Sequence, residues 1–304
     1  MTFTTSLKEE IARLEINPIE DRFELIAFLN RVAKVKNDEI LLTLENASVT
    51  RRIYKELKEI YGVNPSITVR IQKRFKVKQI YILSIKERID RIKETMNLGP
   101  TIEVKSLVSD EEKIAFLKGA FLAIGNVSNP QTSGYHLEFI ASKERLAKQI
   151  HALLQCFKLS AKLTKRGYKT IVYIKASEDI SDLIKRFKAT SSLFYFEDVR
   201  IYRDHKNMVN RLNNCEIANQ EKTFKTGLKQ KEAIEYLKEK ELFTLLDEKT
   251  QVVAEYRYKY PELSYQELAT VITTETNYKI GKSGINHHFI KINELINRYQ
   301  NSKE

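Results

Sequence analysis

The sequence predicts an α+β chain in which a pseudo-twofold tandem repeat of helices and antiparallel sheets is followed by an all-α domain of three helices. Three observations predict it. Residues from about 20 to 95 and from about 112 to 190 follow one order of elements at a nearly constant offset. Within each half, stretches with apolar residues spaced by three and four give way to stretches that alternate, as one-faced helices and half-buried strands require. From about Asp247 onward only helical spacing remains. The expected division is 1–95 for the first half, 96–225 for the second half with an Asn-rich segment, 226–246 for a helical linker and 247–304 for the terminal domain.

In chain order, each half opens with a helix-like stretch, ELIAFLNRVAKV in one and IAFLKGAFLAIGNV in the other. A strand follows, EILLTLEN and then YHLEFIAS. An amphipathic helix comes next, SVTRRIYKELKEIYGV matching SKERLAKQIHALLQCF. Two alternating strands close each unit, TVRIQKRF with QIYILSI and AKLTKRG with TIVYIKA, before a short helix. Val127 follows Val35 by 92 residues, Leu146 follows Ile53 by 93 and Ile180 follows Ile89 by 91, a constancy that marks a true repeat. Two such halves predict opening helices packed against each other and two concave sheets. Gly119, Ala120, Ala123 and Gly125 are small enough to let those helices approach closely. After Ser192 the segment VRIYRDHKNMVNRLNNCEIANQEKT is rich in Asn, with a weak apolar stripe of Val209, Leu212 and Ile217, and reads as a polar helix that docks on something.

The last segment reads as three helices with punctuation. KTQVVAEYRYKY turns Val252, Val253, Tyr256 and Tyr260 to one face and stops at Pro261. Ser264 with Glu267 three residues later has capping-box spacing and opens a short helix through Tyr265, Leu268, Ala269 and Ile272. The third helix starts at Ser283 after Gly281 and buries Ile285, Phe289, Ile292, Leu295, Ile296 and Tyr299. Its other face carries Lys282, Ser283, Asn286, His287 and Lys291, with His288 toward the flank. Amides pair bidentately with adenine, and Lys meets guanine or phosphate, so this is the composition of a major-groove reader on a helix-turn-helix. The connection TTETNYKIGKSG is long for that motif and is expected to hold a turn of helix or an extra phosphate contact.

Charge points the same way. The 52 Lys and Arg against 40 Asp and Glu give a net charge of +12, which attracts polyanions and makes double-stranded DNA the expected partner. Arg70, Lys73, Arg74, Lys76 and Lys78 in one half and Lys162, Lys165, Arg166 and Lys169 in the other lie on equivalent hairpins. These clusters suit either phosphate contact or the protection of sheet edges, which Lys provides by blocking edge pairing. No apolar run reaches 18 residues, and MTFTTSLKEEIARLE lacks a basic segment followed by an apolar one, so no membrane partner and a cytoplasmic, nucleoid-associated location are expected. Cys156 and Cys215 stand alone and read as small buried apolar residues in a reducing compartment.

YHLEF (135–139), NRLNNCEIANQEKT (210–223) and KSGINHHFIKINEL (282–295) resemble signatures of the WhiA family of bacterial sporulation and cell-division regulators. FLKGAFLAIGNVSNP (116–130) is similar to that family's version of the helix that names the LAGLIDADG homing endonucleases. The resemblance spans nearly the whole chain. It implies a degenerate LAGLIDADG-like tandem joined to a helix-turn-helix domain, transcriptional control, and a role in cell division and chromosome segregation in non-sporulating relatives. In such a regulator a second transcription regulator or RNA polymerase joins DNA as an expected partner. The alternative is a nucleoid or division-site scaffold tethered by DNA.

Endonucleases of that type place an acidic metal ligand near the end of each paired helix, because phosphodiester hydrolysis needs divalent cations. Aligned on that motif, LKGAFLAIG (117–125) puts Leu122 and Ile124 at the acidic positions, and the first half offers Asn30 and Val32. Neither Ile124 nor Val32 can coordinate Mg²⁺, which takes oxygen ligands. Glu138 and Glu45, the nearest acids, read as sheet-face residues. There is no phosphate-binding G-x-x-x-x-G-K-[ST], no G-x-S-x-G and no H-E-x-x-H, and His136, His151 and His205 lack spaced metal partners. No catalytic residue, metal or cofactor is therefore expected.

Overall fold

Thr2 starts the first helix, α1 (Phe3–Arg13), by accepting a hydrogen bond from the Thr5 amide, and Phe3, Leu7 and Ile11 recur every fourth residue to bury one face. The repeat begins after it. In the first half α2 (Pro18–Val32) leads into β1 (Ala33–Lys36), β2 (Glu39–Leu44), α3 (Ala47–Tyr61), β3 (Ser66–Gln72) and β4 (Lys78–Ile85). In the second, α4 (Asp110–Ile124) leads into β5 (Gly125–Val127), β6 (Leu137–Ala141), α5 (Glu144–Cys156), β7 (Lys162–Arg166), β8 (Lys169–Ile174) and α6 (Ser177–Arg186). This computed structural model describes residues 2–15, 17–36, 38–72, 78–94, 107–132 and 134–301. It divides into two compact units, Met1–Asp204 and His205–Glu304.

Both sheets are antiparallel and four-stranded, in the orders β1-β2-β4-β3 and β5-β6-β8-β7. The identical topology is the pseudo-twofold repeat seen in the sequence. Each opening helix ends earlier than its motif: α2 stops at Val32 and α4 at Ile124, and the last residues of both motifs turn into edge strands. The cause is pairing, since Val35 lies opposite Ile40 and Val127 opposite Leu137, where a β-branched side chain suits a pleated surface.

α2 and α4 pack backbone to backbone. A Cβ on Gly119 would lie 2.0 Å from the Glu24 carbonyl oxygen, so only glycine lets the helices come this close. Ala27, Phe28, Leu29, Phe116, Leu117, Ala120 and Phe121 share one core with the inner faces of both sheets. Both helices are wrapped by protein, which explains why neither shows a sharp apolar stripe. Ser109 and Glu112 close a capping box that starts α4. Inside this core Arg52 donates to both carboxylate oxygens of Glu24 at 2.6 and 2.9 Å and to the Leu14 carbonyl at 2.9 Å. All charge in that pair is removed from water, with both side chains at 0% exposure.

α1 ties onto elements far away in sequence. The Thr4 hydroxyl accepts the Val127 amide at 2.9 Å and donates to the Val127 carbonyl at 2.7 Å. Glu10 accepts the Ser191 and Ser192 amides at 2.6 and 2.8 Å and thereby caps α7 (Thr190–Glu239). That helix is continuous for 50 residues. The Asn-rich segment is part of it, and Val209, Leu212 and Ile217 are 40%, 59% and 54% exposed, so the weak stripe is open rather than buried among the described residues. Cys156 and Cys215 are exposed thiols, which corrects the reading of both as buried apolar residues. Among the described residues no helix is long and apolar enough to cross a membrane.

Candidate nucleic-acid interface

The second unit closes with α8 (Glu248–Lys259), α9 (Tyr265–Glu275) and α10 (Lys282–Asn301). Asp247 caps α8 by accepting the Thr250 amide at 2.7 Å. Ser264 and Glu267 form the capping box anticipated for α9, with the Ser264 amide 2.8 Å from the Glu267 carboxylate. The Ser264 hydrogen bonds hold that carboxyl below its usual range. Val253, Ala254, Leu268, Ala269, Ile272, Ile285, Phe289 and Ile292 form the core, joined by Ile234 and Leu237 from α7. The turn between α8 and α9 is fixed by Arg257, a fully buried residue that the sequence reading passed over. Its Nη1 donates to the carbonyls of Tyr260, Pro261 and Leu263 at 3.2, 3.2 and 2.6 Å, and its guanidinium lies against the Tyr265 and Phe289 rings. At Gly227 a Cβ would sit 1.7 Å from the Pro261 carbonyl oxygen, so α7 touches this turn through a bare backbone.

α10 sorts its residues as its periodicity demands. Ile285, Phe289 and Ile292 are buried, Leu295, Ile296 and Tyr299 are half-buried, and Lys282, Ser283, Asn286 and His287 are exposed. His288 is different. It is half-buried and shares a 2.7 Å hydrogen bond between Nδ1 and the hydroxyl of buried Thr250. Burial pushes its pKa down and favours the neutral ring. Lys291 is committed as well: its ammonium lies 2.8 Å from the Asp247 carboxylate. Hydrogen bonds from Lys291 and Thr250 hold that carboxyl far below its usual range. His288 and Lys291 thus clamp α10 onto the start of α8, and Lys291 reaches an outside partner only by leaving Asp247.

The connection between α9 and α10 contains no helical turn; Thr273 holds it through its hydroxyl, 3.4 Å from both the Ile280 amide and carbonyl. Lys249, Tyr278, Lys279 and His288 line a cavity of about 480 Å³ beneath it, floored by Val252, Val253, Ile272 and Ile280.

In the first unit every residue of β3 and β7 is exposed. Arg70 projects from β3 opposite Ile80. Lys73, Arg74 and Lys76 lie outside the described residues. Arg166 lies opposite Lys169, while Lys165 points to the other face by strand alternation and pairs with Glu144 at 3.1 Å. Where a nuclease of this fold would hold metal, Val32 and Ile124 pack against the core. Glu138 accepts a hydrogen bond from the side-chain Nδ2 of Asn126 at 3.3 Å and meets His136 Nε2 at 3.3 Å. Glu45 is an exposed residue after β2.

Three family models match the chain: the WhiA N-terminal LAGLIDADG-like domain over residues 20–98, the WhiA LAGLIDADG-like domain over 113–206 and the WhiA C-terminal HTH domain over 209–296. Similar relatives include the probable cell division protein WhiA of Lactobacillus acidophilus, 36% identical with 97% of each chain covered. The protein of the same name from Staphylococcus haemolyticus is 34% identical, with 100% of this chain and 99% of that one covered. Among solved structures, full-length DUF199/WhiA from Thermatoga maritima shares the fold with a TM-score of 0.59 at 24% identity, covering 98% of this chain and 99% of that one.

Proposed function

Given that the chain belongs to the WhiA family, we propose that it is a sequence-specific DNA-binding transcriptional regulator acting in cell division, chromosome segregation or sporulation. Its endonuclease-like body serves as a scaffold without catalysis. The observation that carries the reading is the outer face of α10. Lys282, Ser283, Asn286 and His287 stand exposed on a helix whose opposite side is anchored by Ile285, Phe289 and Ile292, which is how a helix-turn-helix presents its reader to the major groove. Residues 247–304 hold the reading helices, and 226–246 lead to them while Ile234 and Leu237 pack into the same core. Double-stranded DNA is the partner, and Arg70, Lys73, Arg74 and Arg166 add phosphate contacts from the body. Lys165 joins them by exchanging Glu144 for a phosphate.

Mapping bound sites across the genome and measuring affinity for one such site tests this. Asn286→Ala should weaken binding to the site by about 1–3 kcal/mol without changing thermal stability, since Asn286 is exposed. Binding with no sequence preference would instead favour a scaffold tethered to the nucleoid. The exposed apolar residues Met208, Leu212, Ile217 and Phe224 on α7 favour a protein partner in addition to DNA, such as a second regulator or RNA polymerase.

A further inference from the structure

We propose that Ile290 is a specificity-determining residue that reads the methyl group of a thymine, so that the recognised site contains a thymine within one or two steps of the base pair met by Asn286. The inference rests on the reading of α10 as the DNA-reading helix. Every other large aliphatic or aromatic side chain on α10 is buried or half-buried, whereas Ile290 is 47% exposed. It stands on the same outer face as Asn286 and His287, one turn further along, since residues three and four apart are neighbours on a helix. Solvent gains nothing from an isoleucine there, and its immediate neighbours on that face are polar, so it is not the edge of the core.

The floor of the major groove offers one apolar group, the C5-methyl of thymine, while the remaining features of its base edges are hydrogen-bond donors and acceptors. A branched aliphatic side chain on a reading helix therefore has one base-specific ligand to meet. Asn286 and Ile290 would divide the work: the amide takes a donor–acceptor pair on one base, and the isoleucine takes a methyl within one or two base steps, because neighbouring turns on one face lie about 5–6 Å apart and bases rise about 3.4 Å per step.

Replacing thymine by deoxyuridine removes that methyl and leaves base pairing intact. With the full chain and a duplex carrying a mapped site, each thymine is replaced in turn and affinity is read by fluorescence anisotropy. The wild type should lose roughly fourfold in affinity at one thymine, the worth of one buried methyl group. Ile290→Ala should lose a similar factor on the thymine duplex and become indifferent to deoxyuridine there, with Ile290→Val intermediate. Thermal melts confirm that these surface variants fold. Wild-type indifference to deoxyuridine at every thymine, or an Ile290→Ala protein that still discriminates, would overturn the inference. If Asn286→Ala weakens binding while the Ile290 variants do not, only the role of Ile290 falls; if both leave affinity unchanged, the assignment of α10 falls with it.

Discussion

Asn286 and Lys291 lie on one helix, yet substituting them asks different questions. Asn286 touches only solvent-facing space, so its loss should register in DNA affinity alone. Lys291→Ala also removes the ion pair to Asp247, whose side chains are 42% and 50% exposed, and should cost about 0–1 kcal/mol of stability in the absence of DNA. The same pair gives the unit a pH dependence. Because the folded Asp247 carboxyl is held below its usual range, the unfolded chain binds that proton more readily. Its contribution is present above the ordinary carboxylate pKa of about 4 and is lost as pH falls below it. Melting temperature should therefore fall less steeply toward pH 3 in Asp247→Asn than in the wild type. Parallel profiles would show that the pair contributes nothing. Neither the clamp on Asp247 nor the Thr250–His288 bond was legible in the sequence, since 44 and 38 residues separate the partners and nothing local marks them.

At the scale of elements, the pairing of α2 and α4 depends on one absent methyl group. Gly119→Ala would drive a Cβ into the backbone oxygen of Glu24; the helices must separate, at a cost of about 1–3 kcal/mol or more. A melting transition unchanged in Gly119→Ala would disprove the close approach. The helix-pair end is apolar where hydrolysis would require oxygen ligands, so the purified protein should leave supercoiled plasmid intact with Mg²⁺ or Mn²⁺. Metal-dependent nicking that disappears in Glu138→Gln would move the chemistry to that carboxylate. The repeat, the two sheets and the buried stripe of α10 were legible because apolar periodicity records burial directly. The edge strands β1 and β5 were not, because ELIAFLNRVAKV and IAFLKGAFLAIGNV continue the helical spacing past the point where pairing takes over. α1 left a signal in Phe3, Leu7 and Ile11 that stands outside the repeat. The unbroken course of α7 left little, since residues 204–222 are exposed on all sides and the weak stripe of Val209, Leu212 and Ile217 marks a helix without showing that it runs on into its neighbours.

For the molecule as a whole, the +12 charge makes association with DNA a matter of displacing counterions. Affinity should fall steeply as salt rises, with log Kd rising linearly against log salt, and a flat titration would remove phosphate contact from the proposal. Deleting residues from about 245 onward should abolish preference for the mapped site and leave weak, salt-sensitive binding by the body; full preference in that truncation would place the reader elsewhere. The attachment of α1 has a consequence for how the chain is born. Its hydroxyl and carboxylate bonds join Thr4 to Val127 and Glu10 to Ser192, separations of 123 and 182 residues. At about 5–20 residues per second on the ribosome, the first helix emerges and then waits on the order of 10–40 s before its last partner has been synthesised. α3 packs against α1 and follows it closely in the chain, so the face of Phe3, Leu7 and Ile11 gains an early cover, while the bonds of Thr4 and Glu10 close only at the end and make the joining of α1 to β5 and to the start of α7 a late step of folding.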